Sequence, residues 1–300
     1  MYDLQRLRAL AELHRLGTVT AAAESMRYTH SAVSQQLTAL EREAGVALYE
    51  KHGRRLRLTE QGVILAEYAH RVLALIDEAQ AELAASTSQV AGTVRVTSFQ
   101  TVLSSMLPQA LTELRERYPN LHVEVVQRPI EQAMEELLRR EVDLVLGEEY
   151  DGEMPITSER MHREPLLEDP QVLITPKTGP WSTLEFADLA GVPFAVDPEY
   201  LVTGRFVHAL AKRSGFSPNV AFETPDPFLQ AHLVRTGHAV AVVSDMFLQY
   251  VDGVRVTDLP GNPTRTLFTA VLEGRTRHPA LVAVREALTR AVPRAGGPVG

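Results

Sequence analysis

The sequence predicts an α/β protein in three parts: an N-terminal winged helix–turn–helix, a long linker helix and a two-lobed α/β body. Three observations predict it. Two short helical patterns flank Arg27-Tyr28 and are followed by a basic hairpin pattern. An apolar pattern free of Gly and Pro after Gly62 then runs to about Ser88. From Thr93 onward, strand and helix patterns alternate, the order that builds a layered α/β domain. The implied boundaries are 1–58 for the winged helix–turn–helix, 59–92 for the linker helix and hinge, and 93–300 for the two-lobed body.

Composition sets the frame. A chain of 300 residues exceeds the usual size of one core, so two or three compact units are expected. Apolar residues make up 45% of it and mean hydropathy is −0.09, which supply a core. No apolar run approaches the roughly 18 residues a membrane span needs, and the start Met1-Tyr2-Asp3-Leu4-Gln5-Arg6 does not read as a signal peptide; a cytoplasmic address and no membrane partner are expected. The chain has no cysteine, which excludes disulfides, thiolate metal sites and cysteine nucleophiles. Net charge is −8, but it is unevenly spread. Residues 1–62 hold nine Lys/Arg and seven Asp/Glu, a net of +2, which leaves −10 for the rest. DNA affinity depends on the local contact surface, so a basic head on an acidic body is consistent with DNA binding.

Taken in order, Leu4, Leu7, Leu10, Ala11 and Leu16 give a first amphipathic helix that stops at Gly17. Residues 18–26 are small and Ala-rich, so another helix can cross them closely. In the next helix Val33, Leu37 and Leu40 recur at i, i+4 and i+7 and form one buried stripe. That turns Thr29, His30, Ser31, Ser34, Gln35 and Thr38 outward. These side chains are short donors and acceptors suited to base edges in a major groove. Thr29 caps the helix, whose first amides can then meet a phosphate. Leu48 to Thr59 alternates around Gly53 and reads as a hairpin wing, with Arg54 and Arg55 at its tip for phosphates or a narrow minor groove.

In the linker helix, Leu65, Ala69, Val72, Ile76, Ala79 and Leu83 follow spacings of four and three. That is a heptad seam suited to a second copy of the helix; packing on its own chain is the alternative. About 30 residues at ~1.5 Å each make a rod of ~45 Å. Beyond a hinge at 86–92, strands are expected at 93–97, 121–126 and 142–146, with helices at 102–117 and 130–140 between them, in an open parallel sheet. A second block follows with strands at 171–175, 193–196, 219–222 and 239–243 and helices near 203–214 and 228–235. A strand at 265–272 and a helix at 279–292 close the fold.

These motifs resemble the LysR-type bacterial transcriptional regulators along the whole chain, most closely in the first 60 or so residues. The resemblance rests on the small-Ala-Ala helix, Ser31-Ala32-Val33-Ser34-Gln35-Gln36-Leu37, Leu40-Glu41 before Gly45, and Leu48-Tyr49-Glu50-Lys51 running to Leu58-Thr59 and Gly62. Tyr49, Gln35 and His30 depart from the residues common in that family. In the body, Leu107-Pro108, Arg117-Tyr118-Pro119, the run from Arg139 to Gly147 and the run from Leu233 to Val243 are similar to the family pattern. The resemblance implies a sequence-specific regulator with a body like periplasmic binding proteins, and a small-molecule effector between the lobes. On this chain the cleft would be lined by Ser98, Phe99, Gln100 and Thr101, by Arg128, by Gly147 and Glu148, and by Thr203 from the second lobe. Ser98, Gln100 and Thr101 before a helix would favour a carboxylate, with Arg128 adding a charge-assisted bond. Glu148 could hold an amine, so an amino-acid-like effector is also open, as is a direct Arg128–Glu148 pair.

Other classes fit less well. No Gly-x-Ser-x-Gly elbow occurs, and His162, His208, His232 and His238 have no metal-ligand spacing, so no enzyme, catalytic residue, metal or cofactor is expected. A solute-binding protein would not need the helix–turn–helix, and a molybdate-type regulator would carry a smaller β-barrel body. The expected partners are double-stranded operator DNA, a small-molecule effector, RNA polymerase, and further copies of the chain as a homodimer or homotetramer. The alternative function is a small-molecule-binding protein with a non-regulatory DNA-binding head.

Overall fold

A computed structural model of the chain describes residues 1–52, 55–86, 90–153, 156–158 and 160–292, with backbone alone at 51, 52 and 55. They group into two compact units: 1–89 with the short segments 138–140 and 272–279, and the remainder.

In the first unit, α1 (Leu4–Leu16) begins at Asp3, whose carboxylate accepts the Gln5 and Arg6 amides at 2.9 and 3.2 Å. It ends at Gly17, where φ is +72°, a turn that suits a residue without Cβ. Thr18 caps α2 (Val19–Met26) and Thr29 caps α3 (His30–Ala44), each hydroxyl accepting an amide three residues on at 3.2 Å. Each cap is worth about 0.5–2 kcal/mol. Leu7, Leu10 and Leu13 pack against Ala22, Ala23, Val33, Leu37 and Leu40 in one core. Beside that core, Glu12 accepts from Arg15 at 2.6 Å and from the Ser25 hydroxyl at 2.8 Å, tying α1 to α2. The wing is an antiparallel pair, β1 (Tyr49–His52) and β2 (Arg55–Leu58), in register Tyr49↔Leu58. Helix α4 (Glu60–Ser86) starts at Thr59, whose hydroxyl donates to the Ala47 carbonyl at 2.7 Å and accepts the Gly62 amide at 3.0 Å. Gly62 is required there: a Cβ would lie 1.9 Å from the Leu48 carbonyl oxygen.

The second unit runs β3 (Gly92–Ser98), α5 (Gln100–Ser105), α6 (Leu107–Arg117), β4 (Leu121–Gln127), α7 (Ile130–Leu138) and β5 (Leu144–Tyr150). It continues with β6 (Met161–Pro176), β7 (Pro193–Val196), α8 (Val202–Arg213), β8 (Asn219–Glu223), α9 (Pro227–Arg235), β9 (Ala241–Ser244), β10 (Val254–Asp258), β11 (Thr264–Leu272) and α10 (Pro279–Arg290). Two expectations are corrected here. The helix expected at 102–117 is broken at Met106 into α5 and α6, because Pro108 has no amide to return to Ser104 and its ring crowds that carbonyl. The sheet is mixed, not parallel throughout. Its strand order is β10-β6-β11-β5-β3-β4, with β9 also on β6. Strand β3 runs parallel to β4 and β5, but β11 is antiparallel to β5, and β6 is antiparallel to β9 and β10. Strands β7 and β8 form a separate parallel pair.

The mixed sheet makes two lobes. The last six residues of β6 pair with β9 and β10, leaving its first half for β11, so β6 belongs to both. The first lobe packs α5, α6 and α10 on β3 and β5 around Val96, Leu107, Leu144, Val271 and Leu281. The second is built around Ile174, Ala195, Val234 and Phe247. The chain passes between the lobes in β6 and again on entering β11.

Candidate functional site

Two surfaces hold the residues singled out by sequence. The first is the outer face of α3. Val33, Leu37 and Leu40 are at most 1% exposed, which turns Thr29, His30, Ser31, Gln35 and Thr38 to solvent and leaves Ser34 half-buried. Thr29 spends its hydroxyl on the cap. The Thr38 hydroxyl donates to the Ser34 carbonyl and lies 3.1 Å from the Tyr49 hydroxyl, joining α3 to the wing. His30, Ser31 and Gln35 remain as the outward polar set. Arg54 lies outside the described residues, and so does the side chain of Arg55.

On α4 the heptad positions divide. Ala69 is fully buried and Leu65 packs against the first unit's core, so both face their own chain. Ile76 is half-buried, Ala79 exposed, and Val72 and Leu83 are 38% and 69% exposed. The open apolar stripe is shifted from the expected seam: it runs through Ile64, Tyr68, Val72, Leu75 and Leu83.

The second surface is a cleft between the two lobes, a cavity of about 350 Å³, within the usual range for small-molecule sites. Phe99, Gln100, Thr101, Arg128, Glu148 and Thr203 line it. Ser98 and Gly147 do not. Ser98 is 1% exposed behind the wall, and a Cβ on Gly147 would lie 2.4 Å from the Phe268 ring and 2.6 Å from Ile130, so Gly147 serves packing. Gln100 donates to Asp226 across the cleft at 3.3 Å. With α5 only six residues long, the expected helix-terminus anion site loses its basis.

The floor of the cleft is an ion cluster around Arg265. Its guanidinium is 3% exposed and donates to Asp169 at 2.8 Å, Glu148 at 2.7 Å and the Thr101 hydroxyl at 3.0 Å, beneath the Phe99 ring at 5.1 Å. Arg128 bonds Glu136 at 2.9 Å and the Gln127 carbonyl; Arg128 and Glu148 therefore pair with others, not with each other. Thr203 donates its hydroxyl to Asp197, which also accepts from Gln230 at 2.6 Å. Burial pushes the Asp197 carboxyl up from its ordinary value, only partly countered by these donors and by Arg265. Burial likewise raises Glu148 against the pull of Arg265, and raises Tyr150 well above a free phenol with Glu148 adding to it. Burial opposes the Arg265 charge, but Tyr150, Glu148 and Asp169 more than offset it and hold its pKa above the ordinary value.

The sequence matches two family profiles. Residues 4–63 match "Bacterial regulatory helix-turn-helix protein, lysR family", and residues 87–293 match "LysR substrate binding domain". The chain belongs to the LysR family. Among curated relatives of this LysR-family chain, a probable RuBisCO transcriptional regulator of Cyanophora paradoxa is 32% identical over 61% of this chain and 56% of its own length. The HTH-type transcriptional regulator GltR of Bacillus subtilis (strain 168) is 30% identical over 59% of this chain and 58% of its own. The chain thus spans little more than half the length of these relatives. A full-length OxyR variant from Pseudomonas aeruginosa has the same fold, with TM-score 0.63 at 18% identity over 96% of this chain and 95% of that one. So has full-length CbnR solved with its target DNA, with TM-score 0.53 at 20% identity over 96% and 99%. Among the described residues no helix is long and apolar enough to cross a membrane.

Sequence reading missed Tyr150, Asp169, Asp197, Gln230 and Arg265 in this LysR-family cleft. A signal existed for Asp197, an acid directly after a strand and six residues before Thr203. Arg265 gave none, since an arginine opening an apolar strand ordinarily faces water.

Proposed function

We propose that this LysR-family protein is a sequence-specific DNA-binding transcriptional regulator whose grip on its operator is altered by a small molecule in the inter-lobe cleft. The observation that carries the reading is the capped helix α3, which sets His30, Ser31 and Gln35 outward over a fully buried stripe. Such a helix seats its N-terminal half in a major groove and offers side chains that hydrogen-bond base edges. Arg54 and Arg55 on the wing add phosphate contacts, and Ser34 and Thr38 support the same face. The exposed stripe of α4 joins two copies, giving a homodimer or a homotetramer with two or four reading heads. The cleft supplies the control: an effector shifts the assembly by its differential affinity for two lobe arrangements. RNA polymerase is the further partner, the setting is the cytoplasm, and the reading needs no catalytic step.

The test is titration of the full chain on operator DNA, selected from random sequence by the wild type, and on unselected DNA at several salt concentrations. The reading expects a clear preference for the operator and a salt-dependent affinity on both. Equal affinity for both would overturn it.

A further inference from the structure

The proposed effector cleft has a charge left over. Five charged side chains line it, Arg128, Glu131, Glu148, Asp197 and Arg265. Four are paired: Arg265 with Glu148, Arg128 with Glu136, and Glu131 with Arg205 at 3.2 Å. Asp197 makes no ion pair among the described residues. Its two oxygens are fixed by neutral donors alone, the Thr203 hydroxyl and the Gln230 amide, which orient a carboxylate without cancelling its charge. Around it the walls are apolar and aromatic, with Phe206 stacked on Tyr150 at 4.5 Å and Val202 and Pro227 beside them.

A carboxylate effector would find Arg265 shared between Glu148 and Asp169 and Arg128 already paired with Glu136, and it would be repelled by Asp197. A cation would complete the one unpaired charge and lay its body against the aromatic wall. Resting on the reading of the cleft as the effector site, we propose that the effector is a small organic cation, a protonated amine on an apolar or aromatic body, with its ammonium on Asp197. This reverses the carboxylate expected from sequence and keeps the amine alternative, on a different acid.

The test uses the full-length chain and two probes of matched shape, phenethylamine and hydrocinnamate. Thermal shift and calorimetry read affinity, and hydrogen exchange of segments 99–103 and 197–207 reads cleft occupancy whatever the charge of the probe. Phenethylamine should bind and protect both segments, and hydrocinnamate should do neither. Asp197→Asn, whose oxygen still accepts from Gln230 while its NH2 donates to a Thr203 hydroxyl turned to accept, should weaken phenethylamine at least tenfold. In the wild type, affinity should also fall as acid protonates Asp197, while the amine stays charged throughout. Protection of the cleft by hydrocinnamate but not by the amine would overturn the cation and leave the cleft standing. Amine binding that spares the cleft segments, or survives Asp197→Asn unchanged, would overturn the placement. No amine binding at millimolar concentration would overturn the proposal as well.

Discussion

The two units each bury an ion network, and the networks differ in how many acids the central arginine serves. In the N-terminal unit Arg15 serves a single acid among the described residues, Glu12, which also accepts from the Ser25 hydroxyl. In the body, Arg265 serves both Glu148 and Asp169, and Asp197 makes no ion pair of its own among the described residues. The first network fastens one helix to the next. An unbalanced cluster costs stability in the free protein, and that cost is recovered only when something else supplies the missing charge. The same contrast separates the proposed contact surfaces. On α3 the functional side chains point outward from one helix, whereas in the cleft they converge from α5, β5, β11, the turn after β7, α8 and α9.

The largest way to break this comparison is to remove the central cation of each network. Arg265→Ala leaves Glu148 and Asp169 buried with neutral donors but without their cation and should destabilise the body by about 3–5 kcal/mol in urea unfolding. Arg15→Ala removes one donor from Glu12 and should cost about 1–3 kcal/mol. Equal losses would mean that the two networks do the same work.

The open stripe of α4 offers the next test. Leu75 and Leu83 are 64% and 69% exposed, so Leu75→Glu with Leu83→Glu should leave the folding of the single chain intact. The pair should nevertheless split the assembly in light scattering and weaken operator binding on the order of a hundredfold through lost linkage. An unchanged oligomer would move the interface off this stripe.

How far the sequence could be read follows from the same contrast. Helix α3 was legible because its buried stripe, its Thr29 cap and its Gly45 stop lie within 17 consecutive residues. The heptad in α4 showed where apolar residues lie but not which flank meets its own core; Ala69 and Tyr68 are neighbours in sequence and face opposite ways. The broken helix at Met106 was readable from Pro108. The antiparallel β10–β6 and β11–β5 pairs were missed with β10 itself. Neither pair is closed by a hairpin turn, since partners such as Val254 and Pro176 or Arg265 and Tyr150 lie far apart along the chain. The Arg265 cluster was not legible, since Asp169, Glu148 and Thr101 lie 96, 117 and 164 residues away from it along the chain.

A smaller effect sharpens the imbalance at Asp197. Burial raises its pKa in the folded state above the unfolded value, so the stability this carboxyl contributes is present below the unfolded pKa and is lost as pH rises through the folded one. Asp197→Asn removes that loss. The variant should melt on the order of 2 °C above wild type at pH 8 and level with it near pH 3. A lower melting temperature at pH 8 would mean that the charge is already compensated in the free protein.

The measurement that tests the central claim most directly is anisotropy titration of wild type and Gln35→Ala on the selected operator and on unselected DNA. The account predicts a loss of about 1–3 kcal/mol on the operator alone, with unselected binding unchanged because phosphate contacts are untouched. Operator affinity that is unchanged by Gln35→Ala would contradict the assignment of α3 as the face that reads DNA.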